Sequence, residues 1–139
     1  VVSGGSELER IRNMAKNALN IKILGWVDES RLAQLTGKCI ATIYIPEDED
    51  FGMSPVESMA AGKPVIGVAE GGLLETVKDG ETGILINDFP SYKDVIQAVV
   101  QMTPARANQM RMACEKRALR FRIEVFVEKM NYIMRSFKS

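Results

Sequence analysis

The chain has 139 residues, of which 46% are hydrophobic and 26% charged, and its formal net charge is zero. That length suits one domain with a real core, and no apolar run approaches the roughly 18 residues that cross a bilayer. The sequence contains no histidine, which excludes a Ser-His-Asp triad, a Cys-His pair and any His-based zinc site within it.

Val1-Val2-Ser3-Gly4-Gly5 has neither the basic start nor the apolar core of a signal peptide. It reads as the tail of a strand. A first helix opens at Ser6, with Glu9 three residues on in capping-box spacing. "NIKILGWV" (20–27) follows as a short apolar strand. A second helix opens at Asp28 and closes at Gly37, a C′ glycine. "CIATIYI" (39–45) is apolar on both faces, which predicts a central parallel strand. A third helix opens at Ser54, followed by the apolar runs "PVIGVA" (64–69) and "GILI" (83–86). Ser91 caps a fourth helix, and Thr103-Pro104 starts a fifth with proline at its tolerated first position. The last segment repeats Ile123, Phe126, Val127, Met130, Ile133, Met134 and Phe137 at close to a 3.6-residue period, which predicts a long helix docked on the domain.

Strands alternating with helices predict an α/β fold: a Rossmann-like parallel sheet with helices on both faces, ending in a long C-terminal helix. Cys39 and Cys114 are too far apart for a zinc motif and read as free buried thiols of a reducing compartment. Charge is uneven along the chain. Residues 1–103 carry nine Lys/Arg and fifteen Asp/Glu, net −6, whereas residues 104–139 carry nine and three, net +6. A basic tail suits an anionic membrane surface, or is simply a solvated helix face. Its charges are not interleaved with aromatics for base stacking, so no nucleic-acid partner is expected.

The window "PEDEDFGMSPVESMAAGKPVIG" (46–67) concentrates the chemistry. In an open α/β sheet, ligands bind outside the carboxyl ends of the strands, and this window follows such an end. Ser54 as N-cap, Pro55 at N1 and Glu57 at N3 specify a helix start. The positive end of that helix favours a phosphate, and Gly52 lets a bulky anion approach the backbone. Ser54 and Glu57 are equally a capping box in which Glu57 bonds back to its own helix. Glu47, Asp48, Glu49 and Asp50 form a solvated loop or, as a further option, hard oxygen ligands for Mg²⁺ or Ca²⁺, although the EF-hand spacing is absent.

Glu49 and Glu57 are separated by seven residues. After them come Met59-Ala60-Ala61, Gly62-Lys63-Pro64-Val65, Gly71-Gly72 and Gly80-Glu81-Thr82-Gly83. This ordered series resembles the donor-binding segment of family 4 glycosyltransferases, which have the GT-B fold. "VVSGG" and "NIKILGWV" are similar to the family's earlier strands, so the resemblance covers nearly the whole chain. "EDFGMSPVE" is most similar to mannosyltransferase-like members.

The resemblance implies a retaining glycosyltransferase whose substrate is a nucleotide-diphosphate sugar, with GDP-mannose one candidate, and which needs no cofactor and no metal. Glu49 would face the transferred sugar as the catalytic carboxylate. Phe51, Gly52, Met53 and Ser54 would present backbone N–H groups to sugar and diphosphate. Glu57 would take the ribose hydroxyls, and Gly25, Trp26 and Val27 would hold the base. A carboxylate beside a diphosphate repels it, so both glutamates should aim at hydroxyl donors while the helix end takes the charge. Residues 1–139 are then one nucleotide-sugar-binding domain, lacking its first βα unit, with the family's diphosphate-clamping Arg and Lys, and the N-terminal acceptor domain. Alone, such a chain is expected to bind nucleotide weakly and transfer nothing. Implied partners are the N-terminal domain and a sugar or lipid-linked acceptor. The implied location is cytoplasmic, with peripheral contact at the cytoplasmic membrane face. A GT-B-fold sugar epimerase and a non-catalytic nucleotide-sugar-binding module are the alternatives.

Overall fold

A computed structural model describes residues 5–46 and 50–137. The chain divides into two compact units, Val1–Leu35 and Thr36–Ser139.

The first unit is built on helix α1 (Leu8–Ala15). Its N-cap is Glu7, with no side-chain cap. The helix therefore starts too late for the expected Ser6/Glu9 box, and Glu9 instead accepts a hydrogen bond from Arg12 Nη1 at 2.5 Å. The run 20–27 is not a strand among the described residues, and Ile21, Leu24 and Trp26 are exposed along it. Gly25 within it is a bridge residue, but the three-stranded sheet of the described residues does not include the run. Helix α2 (Glu29–Lys38) spans the division between the units. Asp28 caps it as expected, its Oδ1 accepting from the Arg31 N–H at 2.7 Å. Gly37 falls inside the last turn rather than beyond it.

The second unit holds three parallel strands, β1 (Thr42–Tyr44), β2 (Val65–Val68) and β3 (Gly83–Ile86), in the order β1-β2-β3. Thr42 pairs with Val65, and Val65 with Gly83, so the strand starts share one end of the sheet. The expectation that 39–45 is the central strand is overturned. Among the described residues β1 is a three-residue edge whose Ile43 is exposed, and the centre belongs to β2. All four β2 residues are buried. Alternate strand residues face opposite ways, so both faces of the sheet are covered there.

Helix α3 (Met53–Ala60) connects β1 to β2, and α4 (Gly71–Thr76) connects β2 to β3. Helices α5 (Tyr92–Gln101) and α6 (Pro104–Ala118) follow. The core joins Val56 and Met59 of α3 to Val65, Ile66 and Ile84 of the sheet. From α5 it takes Ala98, and from α6 the stripe Ala107, Met110, Cys114 and Ala118. These α6 positions recur every three or four residues, one helical face of mostly small side chains. Burial pushes the Cys114 thiol up to about 11, with the Glu115 charge adding to it, and Cys39 is raised for the same primary reason. Both are free thiols.

Two more predicted helix starts are present. Ser91 and Asp94 form a full capping box at α5, and the Ser91 hydroxyl bond holds the Asp94 carboxyl below its usual range. Thr103 caps α6, with Pro104 at its first position. A 3₁₀ turn (Leu119–Phe121) leads into α7 (Ile123–Ser136). The long C-terminal helix is thus present, but the docking expected of it is not. None of its residues is buried, and its apolar face is open, with Phe126 59% exposed. Among the described residues no helix is long and apolar enough to cross a membrane.

Candidate functional site

The site lies where β1 gives way to α3. Residues 47–49 are outside the described set, so Glu49 has no structural description; the chain resumes at Asp50. Helix α3 does not begin at Ser54 as its sequence suggests. Its N-cap is Gly52, left-handed at φ 81° and ψ 64°, with no side-chain cap bond. Met53 and Ser54 are then the first two helical residues and Pro55 the third. A helix leaves its first backbone N–H groups without intrahelical partners. Proline has none, so the donors at this end are the amides of Met53 and Ser54.

The capping box of Ser54 and Glu57 is therefore not formed. Glu57 sits a full turn inside the helix and is exposed. Positions three and four apart share a helix face, which puts Met53, Ser54 and Glu57 together on the exposed side. Pro55, Val56, Ser58 and Met59 are buried on the other. One face thus carries the positive helix end and, one turn along, a carboxylate.

Two further devices fix this helix. At its far end Gly62 is left-handed at φ 70°. The Lys63 N–H donates to the Ser58 carbonyl at 3.0 Å and the Gly62 N–H to that of Met59 at 2.9 Å, a Schellman stop. The buried Ser58 hydroxyl accepts from Thr42 Oγ1 at 2.8 Å and donates to the Lys63 carbonyl at 3.1 Å, tying helix to strand. At the near end, α4 presses on the loop. A Cβ added to Gly72 would lie 2.3 Å from the Phe51 Cα and 2.4 Å from its carbonyl carbon. Only glycine lets α4 start this close. Leu73, fully buried, closes in beneath Gly52.

The motif series of the sequence is split by the parallel sheet. Gly71-Gly72 stands at the carboxyl ends of the strands, beside Phe51. Gly62-Lys63-Pro64-Val65 and Gly80-Glu81-Thr82-Gly83 lead into β2 and β3 at the opposite end. There they make turns. The Gly80 N–H donates to the Gly83 carbonyl at 2.9 Å, and the buried Thr82 hydroxyl accepts from the Lys78 N–H at 2.8 Å. These residues build scaffold and stand away from the face of Met53 and Glu57.

Phe51, Gly52, Met53, Ser54 and Glu57 are therefore brought together in the second unit. Gly25, Trp26 and Val27 belong to the first. Gly25 there is buried and left-handed at φ 68°, lying beside Leu8 and Arg12, and Trp26 is 81% exposed. Sequence reasoning missed Phe121, whose ring meets that of Phe51 edge to face. Seventy positions separate the two, and no local pattern links them.

Residues 1–120 match the family model described as glycosyl transferases group 1. The chain is 37% identical over 112 residues to an alpha-1,3/1,6-mannosyltransferase, ALG2, of Dictyostelium discoideum, covering 78% of this chain and 26% of that protein. It is 34% identical over 90 residues to a D-inositol 3-phosphate glycosyltransferase of Catenulispora acidiphila, covering 63% of this chain and 21% of that one. Among solved structures it is similar to the sucrose-phosphate synthase of Thermosynechococcus elongatus, with TM-score 0.83, 24% identity, and coverage of 98% of this chain and 38% of that chain. It is also similar to Anabaena HepE in complex with UDP and glucose, with TM-score 0.73, 22% identity, and coverage of 97% and 39%. The structural likenesses establish the α/β Rossmann-like fold. The chain spans about a quarter of the length of the first curated relative.

Proposed function

Since the chain belongs to the glycosyl transferases group 1 family, we propose that it is the donor-binding part of a retaining glycosyltransferase, working with an N-terminal acceptor domain. The observation that carries this is the start of α3. A helix end with two amide donors and no side-chain cap shares its exposed face with the Glu57 carboxylate. The amides of Met53 and Ser54 suit a diphosphate. Glu57, one turn along, suits the ribose hydroxyls, since a carboxylate is acceptor-only and attracts hydroxyl donors. Glu49 takes the hydroxyls of the transferred sugar. In this reading the protein accelerates transfer by positioning the sugar and by stabilising the departing diphosphate.

Relatives named as alpha-1,3/1,6-mannosyltransferases support mannose as the sugar, and with it GDP-mannose as donor. The neighbour bound to UDP and glucose supports a nucleoside diphosphate at this fold. Calorimetric titration of this chain with GDP, UDP and GDP-mannose tests the reading. Binding is expected, strongest for the guanosine ligands, with signals of Gly52, Ser54 and Glu57 shifting in a parallel NMR titration. No heat with any of the three ligands would sink it.

The acceptor is a hydroxyl of a sugar, carried on a lipid at the cytoplasmic face of a membrane. Support comes from the basic segment 104–139, net +6, together with the uncovered apolar face of α7. Co-sedimentation with vesicles is expected to rise with anionic lipid content and to fall with salt. Indifference to both would reject the membrane contact.

A further inference from the structure

Phe51 opens the proposed donor loop, and its position is set from far away in the chain. Its ring centroid lies 5.7 Å from that of Phe121, the planes at 78°, an edge-to-face pair. Over the Phe121 ring, at 5.2 Å from its centroid, stands the guanidinium carbon of Arg117. Arg117 is itself anchored. Its Nε donates to the Thr76 carbonyl at 2.9 Å, and its Nη2 donates to the Glu75 carbonyl. Those are the last two carbonyls of α4, groups that a helix end leaves without intrahelical partners and that a cation satisfies well.

The contacts close into a ring. The backbone of Phe51 rests on Gly72 at the start of α4. The end of α4 holds Arg117, Arg117 covers Phe121, and Phe121 returns to the ring of Phe51. Phe51 is thus gripped at its backbone and at its side chain through the same short helix. Phe51 remains 38% exposed, so the pair buries little area and contributes more to orientation than to core stability. Gly52 follows directly, and the conformation of Gly52 decides where α3 begins.

We propose that Arg117 and Phe121 are positioning residues that hold the Phe51–Gly52 turn, and through it the first amides of α3, in register for the donor diphosphate. The inference deepens the donor-site reading and rests on it for its ligand. Neither residue lies on α3, and each acts through Phe51.

The experiment compares this chain with its Phe121→Leu, Phe121→Tyr and Arg117→Lys variants, using amide hydrogen exchange over residues 50–54 and calorimetric titration with GDP. Phe121→Leu is expected to speed exchange at these amides about tenfold, as local opening becomes easier. It should also weaken GDP binding about tenfold, because misplaced groups lose their aligned contacts. Phe121→Tyr retains the aromatic edge and should restore both readouts. Arg117→Lys keeps the charge but loses the two-carbonyl fork, and should reproduce part of both changes. A folded Phe121→Leu protein with wild-type exchange and wild-type affinity overturns the proposal. If Phe121→Leu does not fold, the same result for Arg117→Lys overturns it. Faster exchange in the variants, with no GDP binding by the parent, removes the donor reading and leaves the positioning role standing.

Discussion

Alanine at Gly72 is expected to cost about 1–3 kcal/mol of stability, the range of overpacked interiors, and to weaken nucleotide binding in the same protein. The added methyl would lie 2.3, 2.4 and 2.5 Å from the Cα, carbonyl carbon and oxygen of Phe51. All three are backbone atoms, so no rotamer change relieves the clash. Either α4 retreats from the sheet or the loop at Phe51 lifts. Retreat of α4 uncovers Leu73, which is fully buried. Lifting of the loop moves Gly52 and with it the amides of Met53 and Ser54. Urea unfolding reports the first loss and calorimetry with GDP the second. Gly80→Ala is the control. Gly80 is left-handed, at φ 74°, as Gly72 is not, but it has open space around it and lies at the other end of the strands. It should lose about 1–2 kcal/mol from backbone strain alone and bind nucleotide as the parent does. Equal behaviour of the two variants would show that close approach at Gly72 is not what holds the loop.

Glu57→Ala should give the opposite signature. Stability is expected to stay near that of the parent, while nucleotide affinity falls about 10–100-fold, the equivalent of a hydrogen bond to a charged group. The reason is positional. The carboxylate is exposed and α3 starts on Gly52, so Glu57 makes no cap bond whose loss the helix would feel. Glu57→Gln retains an accepting oxygen and should fall less. A ribose partner can be separated from a general charge effect with 2′-deoxy-GDP. The parent should discriminate against it, and Glu57→Ala should not. Lost stability with unchanged affinity would return Glu57 to a capping role.

Much of this was legible locally, and the misreadings share one cause. Ser91 with Asp94, and Thr103 with Pro104, cap where their spacing says. Ser6 with Glu9 and Ser54 with Glu57 have the same spacing and do not cap. At α3 the competitor is visible: the pinch of Gly72 on Phe51 favours a left-handed Gly52, and the helix starts there, two residues ahead of its sequence signal. Strand order is equally non-local. "CIATIYI" has the composition of a central strand, yet among the described residues β1 has one neighbour and β2 has two. The face shared by Met53, Ser54 and Glu57 follows from helical spacing once the start is known. Arg117 and Phe121 had no signal at all, because a ring contact between residues 51 and 121 leaves no trace in any short window.

The glycine at the head of α3 has a consequence beyond geometry. Most helices carry their own seal, a serine or aspartate that satisfies the first amides whether or not a ligand is near. Among the described residues no side chain serves as one. An anion arriving at Met53 and Ser54 would complete the fold as well as occupy the site, so occupancy and folding become one linked equilibrium. A residue able to seal the helix itself needs extended backbone at position 52. It would make the empty protein sturdier and at the same time a competitor for its own substrate.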